Sequence, residues 1–375
     1  MNKVNLTYVF GSGRKNKLIN NNFKAREFFY GIDYFREQNN EIRIIEMSQE
    51  KVSVVGFKKI VRFFDKALRK LTNLPFYFTE ILTFEHFKII RKTDKLLITN
   101  DRLALSLLPF LLLIKIIKKI DIYVIVMGLF SKKRGNFIVR FFQNLFIKLL
   151  LILSNYFIFL GLGEINLAED RFSKFSKKFK FLPFSIDTEF WGEKKIDISL
   201  NNQILFIGND GNRDYEIFFK IVESLPEYSF VCISNNLSNS KLPPNCKLIT
   251  GNWNDSLLSD EEIRDYYLNS RIVIIPLKET FQPSGQSVTL QSMSVGVPVF
   301  ISKTSGFWDT SNFSNNENII FLKENSIKEW VEKIKATYEN LYLLKSISDN
   351  AKKEVHTNLN LNKFNTKLAE ILNII

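Results

Sequence analysis

Between Arg271 and Ser302 the chain reads RIVIIPLKETFQPSGQSVTLQSMSVGVPVFIS, and this stretch restricts the fold more than any other. Ile272 to Ile275 is a short continuous apolar run closed by Pro276, the pattern of a buried strand. A polar loop follows from Lys278 to Gln286. Ser287 to Val295 then reads as a helix, stopped by Gly296 in the manner of a left-handed cap, with Pro298 just beyond. Val297 to Ile301 is a second buried strand. Strand, loop, helix and strand in that order make the crossover that builds a parallel sheet. Ser284, Gly285, Gln286 and Ser287 stand where the helix begins. Small residues there let backbone N–H groups face outward at the positive end of the helix dipole, a place that favours a phosphate. Taken one at a time, Gly285 and Gly296 also serve as ordinary turn glycines.

A chain of 375 residues is too long for one ordinary core and suits two domains. The first half repeats the alternation. Lys3 to Phe10 reads as a strand, with Gly11, Ser12, Gly13 and Arg14 as the loop at its end. That loop is neither a P-loop nor a dinucleotide fingerprint, because no further glycine and no Gly-Lys-Ser/Thr follow at the required spacing. Lys24 to Gln38 carries Phe28, Phe29, Ile32 and Phe35 at helical spacing. Further strands are expected at Glu41 to Met47, Lys95 to Thr99, Ile122 to Met127 and Tyr156 to Leu160.

Charge is unevenly placed. The first 180 residues hold 33 Lys and Arg against 15 Asp and Glu, a net +18, and the remainder 19 against 24, a net −5. A field of that sign suits an anionic partner such as a membrane surface, a nucleic acid or a phosphate-bearing acceptor. Phe57 to Leu71 sets Lys58, Lys59, Arg62, Lys66, Arg69 and Lys70 around Ile60, Val61, Phe63, Phe64 and Leu68. Such a basic amphipathic helix either lies in a membrane interface or covers a sheet with its lysines snorkelling outward.

No stretch reads as a transmembrane helix. Leu103 to Ile117 is interrupted by Pro109 and closed by lysines, short of the ~20 residues needed to span a bilayer. Phe146 to Leu162 splits into a helix end and a strand. The N-terminus lacks the apolar core of a signal peptide. Two cysteines without a CxxC pair, Cys232 and Cys246, suit a reducing cytoplasm.

In the second half Gln203 to Ile207 starts a new series of strands, continued by Tyr228 to Ile233, Lys247 to Thr250 and Ile319 to Leu322. Gly208, Asn209, Asp210, Gly211, Asn212 and Arg213 follow the first of these, with Asp210 or Asn212 as cap of a helix from Arg213 to Leu225. An arginine at the first turn of such a helix pairs with phosphate in two-pronged fashion. Gly251-Asn252-Trp253 precedes a capped helix start at Ser259 to Ile263. A long helical tail runs from Ser326 to Ile375.

Taken together, these segments resemble the GT-B glycosyltransferases, family 4-like (glycosyl transferases group 1). The Pro276 to Pro298 segment is similar to that family's "P-(x)n-E-G-F-G-x-x-x-x-E-A-M-A-x-G-x-P-V" donor pattern. Pro183-Phe-Ser-Ile-Asp187 with Phe190 resembles the "P-x-G-V-D-x-x-x-F" that ends the first domain. Gly251 to Ile263 resembles the family's glycine, loop and "(S/D)DEEL" segment.

The resemblance implies two Rossmann-like doubly wound α/β domains facing a cleft, the GT-B fold. It divides the chain into an acceptor-binding domain at 1–195, a nucleotide-sugar donor domain at 196–355, and a C-terminal helix at 356–375 crossing back to the first. It implies a glycosyltransferase, retaining and metal-independent, with no cofactor. The expected partners are a nucleotide-sugar donor and, from the basic first half, a glycan or lipid-linked acceptor and an anionic membrane surface, with no nucleic acid. The setting is cytoplasmic, peripheral at the inner face of the cell membrane, in cell envelope polysaccharide synthesis.

Arg213, Lys278 and the Ser284 to Ser287 amides would then neutralise the departing diphosphate. Gly208 and Asn209 would border it, Trp253 the base, and Gly11, Gly13 and Arg14 the acceptor. The family's two glutamates fall on Pro283 and Gln291. Gln291 still offers an amide to the ribose hydroxyls. Glu279 or Gln282, in the preceding loop, is the remaining candidate for the donor sugar.

Two other readings use parts of the same sequence. A GT-B-fold epimerase or hydrolase would share the second domain but requires a carboxylate or histidine cluster. A basic nucleic-acid-binding protein would explain the charge, yet no zinc site or RNP-type motif is present.

Overall fold

The computed structural model describes residues 3–19, 23–48, 57–132, 135–194, 196–238, 240–250 and 258–375. Two compact units emerge. One comprises Met1–Asn20, Phe29–Leu182 and Asn365–Ile375, the other Asn21–Phe28 and Pro183–Phe364.

The first unit holds six parallel strands: β1 (Asn5–Phe10), β2 (Glu41–Glu46), β3 (Lys95–Ile98), β4 (Asp121–Val126), β5 (Tyr156–Phe159) and β6 (Phe179–Phe181), in the order β2-β1-β3-β4-β5-β6. β1 lies between β2 and β3, with Thr7 level with Arg43 on one side and Leu96 on the other. Helices cover both faces, which is why the strands read as unbroken apolar runs. Their buried residues, among them Leu96, Ile98, Ile122, Val124 and Phe157, pack with Leu103, Leu107, Leu111, Ile147 and Leu151 from the helices at 101–117 and 137–153. Asn100 and Asn136 cap those two helices through their side chains, each satisfying one of the unpaired N–H groups of the first turn.

The second unit contains β7 (Gln203–Ile207), β8 (Ser229–Ile233), β9 (Cys246–Ile249), β10 (Ser270–Ile275), β11 (Val299–Ser302) and β12 (Ile320–Leu322), again all parallel, ordered β12-β11-β10-β7-β8-β9. The order reverses between β7 and β10. The carboxyl ends of two strands that diverge in this way leave a crevice, the place where open α/β sheets bind ligands. Cys232 and Cys246 are free, buried thiols on neighbouring strands.

Several expectations need correcting. Lys24 to Gln38 is not one helix. Glu27–Phe29 is a single 3₁₀ turn and Ile32–Glu37 a separate helix, because Tyr30 and Gly31 between them have left-handed backbones at φ 49° and 76°. Pro109 does not break its helix, which runs from Asp101 to Ile117. Pro109 removes one helical N–H, and burial of Leu105, Leu107, Leu108 and Leu111 around it holds the helix together. The helix expected from Arg213 begins only at Tyr215. Its cap is Asp214, whose carboxylate accepts from the N–H of Ile217 at 3.1 Å. The helical tail is three helices, Ile327–Tyr338, Leu341–Asn358 and Leu361–Ile371.

Candidate nucleotide-diphosphate site

A pocket of about 330 Å³ opens in the second unit at the carboxyl ends of β7 and β8, with Gly208, Arg213, Ser287 and Gln291 in its wall. Three segments build it, and each is placed by local chemistry.

The first is the loop after β7. Asp210 folds it by accepting from the N–H groups of Asn212 (2.9 Å) and Arg213 (3.1 Å), the turn an aspartate side chain makes with its own backbone. Arg213 is thereby turned inward and is only 3% exposed. Its Nε donates to the carbonyl of Ile207 at 3.2 Å and its Nη1 to Asp210 at 2.8 Å. The side chain lies across Gly208, where a Cβ would overlap it, so the glycine is needed for close approach. Arg213 is therefore not the first-turn residue expected from sequence. It is a buried, prearranged guanidinium just ahead of the helix.

The second segment follows β10. The two loops are stitched together through their backbones: Asp214 N–H donates to Pro276 (2.9 Å), Lys278 N–H donates to Asn212 (2.9 Å), and Arg213 bridges Leu277. Asn212 Nδ2 adds a bond to Ser284 Oγ at 2.7 Å. This brings Lys278, itself exposed, into the chain neighbourhood of Arg213. Glu279 instead accepts from the N–H of Ser305 at 2.9 Å, which ties its carboxylate to a neighbouring loop.

The third is the helix Gln286–Val295. Gly285 precedes it with φ 78°, and no side chain caps its start. Ile275 and Ile301 press on the glycine's Cα, at 3.1 and 3.3 Å from where a Cβ would stand, so a side chain there meets both a left-handed backbone and a filled space. Gly296 ends the helix at φ 103°, the left-handed cap expected of it. Ser287 at the helix start lines the pocket, while Ser284 is buried and outside its lining.

Asn209 lines the pocket but spends its side-chain oxygen on the loop after β8, accepting from Asn235 N–H at 2.6 Å. Trp253 lies outside the described residues. Gly11, Gly13 and Arg14 belong to the first unit, at the end of β1. There Gly13 takes φ 86° and Arg14 opens a short helix.

One residue beside this site carries no signal in the sequence. Glu27 is 1% exposed and accepts hydrogen bonds at Oε1 from both Gln291 Nε2 (2.9 Å) and Trp191 Nε1 (3.0 Å). Tyr267 OH donates to the oxygen of Gln291 at 3.1 Å, so the amide is held at both ends. Burial pushes the Glu27 carboxyl up to about 7. Residues 23–28 are fastened in the second unit by Asp187, which accepts from Arg26 N–H at 3.2 Å, and by Asp260, which accepts from Ala25 N–H at 3.0 Å. Phe28 from the same segment forms part of the pocket wall. A glutamate within a helical-looking run of phenylalanines gives no sequence signal of such a role.

Chemically, the pocket combines a fixed guanidinium, an uncapped helix start and a fixed amide, flanked by the apolar side chains of Phe28, Leu258 and Ile263. The first two are suited to a phosphate group, and the third to hydroxyl groups.

No protein-family model and no curated protein sequence matches the chain. Solved structures do. A glycosyltransferase from Rickettsia africae matches at 13% identity over 100% of this chain and 99% of its own, with a TM-score of 0.67. Sucrose-phosphate synthase from Thermosynechococcus elongatus matches at 9% identity over 98% of each chain, TM-score 0.69. Anabaena HepE, in a structure with UDP-glucose bound, matches at 10% identity over 99% of this chain and 100% of its own, TM-score 0.62. At these identities the likeness is one of architecture: two parallel six-stranded α/β units give the chain the GT-B fold of solved glycosyltransferases.

Proposed function

We propose that the protein is a glycosyltransferase that moves a sugar from a nucleoside-diphosphate donor to a glycan or lipid-linked acceptor. The observation that carries this reading is the meeting of Arg213 and the Ser287 helix start in one pocket of the second unit. Both are suited to a diphosphate. HepE, of the same fold, holds UDP-glucose, and a uridine diphosphate sugar is the first donor to try.

The roles follow from charge and geometry. Departure of a nucleoside diphosphate builds negative charge on its terminal phosphate. Arg213, Lys278 and the helix-start amides of Gly285, Gln286 and Ser287 stabilise that charge, and Ser284 buttresses the loop. Because Arg213 is already locked by Asp210 and the Ile207 carbonyl, little reorganisation accompanies the reaction. Gln291, fixed by Glu27 and Tyr267, meets the ribose hydroxyls. Glu279 is assigned to the donor sugar, Gly208 and Asn209 to the edge of the diphosphate, Trp253 to the base, and Gly11, Gly13 and Arg14 to the acceptor. Positioning and charge stabilisation supply the rate, with neither a metal ion nor another cofactor, and with retention at the anomeric carbon as the family resemblance implies. The enzyme works in the cytoplasm at the inner face of the cell membrane, in the synthesis of envelope polysaccharide. No nucleic acid is among its partners.

The test is transfer. Incubating the protein with radiolabelled UDP-sugars and a membrane lipid extract should move label into the lipid or glycan fraction, and Arg213→Ala should abolish it. Release of free sugar without any labelled acceptor would replace this reading with a hydrolase.

A further inference from the structure

Three helices of the first unit, at 57–72, 101–117 and 137–153, follow β2, β3 and β4. Because parallel crossovers are right-handed, connections that step across a sheet in the same direction lie on the same face. The steps β2 to β3, β3 to β4 and β4 to β5 all run one way in this sheet. The helix at 137–153 packs against both of the others. The helices at 101–117 and 137–153 bury one side in the core with the strands, the helix at 57–72 lies against the one at 137–153, and each of the three exposes large apolar residues.

The exposed residues form stripes. Ile60, Phe63 and Phe64 on the first helix are 54%, 69% and 56% exposed, and Ile116 on the second is 85%. Phe137, Phe141 and Leu145 on the third recur at every fourth residue, on one side of the helix, and are 74%, 57% and 48% exposed. Soluble monomers seldom leave so many large apolar side chains contiguous in water.

Charge selects the occupant. Exposed Lys58, Lys59, Arg62 and Lys66 flank the first stripe, Lys119 follows the second, and Arg140 and Lys148 flank the third. The only carboxylates carried by the three helices are Asp65 and Asp101, and both are 3% exposed. Asp65 is spent on the N–H groups of Phe78 and Thr79, and Asp101 on that of Met127. The outward surface is therefore apolar and cationic with no exposed acid on these helices. That combination fits a lipid surface bearing anionic headgroups, with rings at the acyl boundary and lysines at the phosphates. Among the described residues no helix is long and apolar enough to cross a membrane.

We propose that this three-helix face is a docking surface for an anionic lipid bilayer, which it enters to the depth of its phenylalanines. The proposal deepens the membrane setting proposed above, and it fails separately from the transferase reading, since nucleotide binding by the second unit neither requires nor supplies it.

Flotation of the full-length protein with vesicles tests it, comparing phosphatidylcholine alone with phosphatidylcholine containing phosphatidylglycerol. The protein should float with the anionic vesicles and largely remain behind with the neutral ones. Raising the salt should weaken the attachment. Phe63→Glu combined with Phe141→Glu should reduce vesicle binding at least tenfold while the melting temperature and nucleotide binding stay as in the wild type. Should the double variant misfold, Ile116→Glu, at the most exposed position, reads the same outcome. Absence from the anionic vesicles, or equal flotation of the variants, overturns the proposal. So does light scattering that shows a wild-type dimer which the variants convert to monomer, because the face would then be a contact between two copies of the chain.

Discussion

Gln291 donates its amide N–H to the buried carboxyl of Glu27 at 2.9 Å across 264 residues of sequence. Family 4-like enzymes carry a glutamate where Gln291 stands. In this chain a glutamine lines the pocket there, and a carboxyl group from residue 27 lies against its amide. Glu27→Ala should leave the Gln291 amide and the Trp191 N–H without an acceptor, a cost of about 1–3 kcal/mol for each buried polar group so stranded. Thermal unfolding would show it as a clearly lower melting temperature.

The same carboxyl gives stability a pH dependence of known sign. Burial raises Glu27 from an ordinary value of 4.5 to about 7. Between these values the folded protein keeps a proton that the unfolded chain has released. Stability therefore falls as pH rises from about 4.5 to about 7, and the loss is complete above that. Glu27→Gln keeps an oxygen for both donors and removes the titration. The variant should match the wild type near pH 4.5 and exceed it at pH 8, by up to roughly 3 kcal/mol. Glu164 in the first unit, also pushed up to about 7 by burial and by Asp101, supplies a parallel slope that this variant leaves intact. Melting temperatures across that pH range decide the matter.

Gly208 and Arg213 form a second linked pair. A methyl group at 208 would collide with the Arg213 side chain, so Gly208→Ala should displace the guanidinium even though the arginine is still present. Nucleotide affinity should drop by roughly the same factor as in Arg213→Ala. Charge-assisted hydrogen bonds of about 1.5–3 kcal/mol correspond to about ten- to hundredfold. Arg213→Lys should recover little, since a point charge does not reproduce the planar fork. Titration calorimetry on the three variants provides the comparison.

The helix start separates binding from stability. An acid in the first turn of a helix stabilises it by about 0.3–1 kcal/mol through the dipole. Ser287→Asp should therefore hold or raise the melting temperature. It should also repel a diphosphate from the same spot and cut nucleotide affinity at least tenfold. A stable protein that has lost its ligand would tie the helix start to binding.

Much of this architecture could be read in advance where the physics is local. Val299 to Ile301 and Ile272 to Ile275 are legible because a strand buried on both faces must be apolar throughout. The Gln286–Val295 helix is legible because Gly285 and Gly296 both sit at positive φ. Reading failed where tertiary contacts decide. The phenylalanine spacing of Lys24 to Gln38 suits a helix, yet left-handed Tyr30 and Gly31 divide it. Arg213 could be picked out by charge and place, but nothing local announces its burial or its anchorage to Asp210. Glu27 gave no sign at all, because its partners Trp191 and Gln291 are 164 and 264 residues away.

The central claim is that the pocket of the second unit binds a nucleoside diphosphate through Arg213 and the Ser287 helix start. Calorimetric titration of the full-length protein with UDP, GDP and ADP tests it most directly. At least one of the three should bind with one-to-one stoichiometry, and both Arg213→Ala and Ser287→Asp should weaken it tenfold or more. Binding of none of them, or binding that both substitutions leave unchanged, would contradict the account.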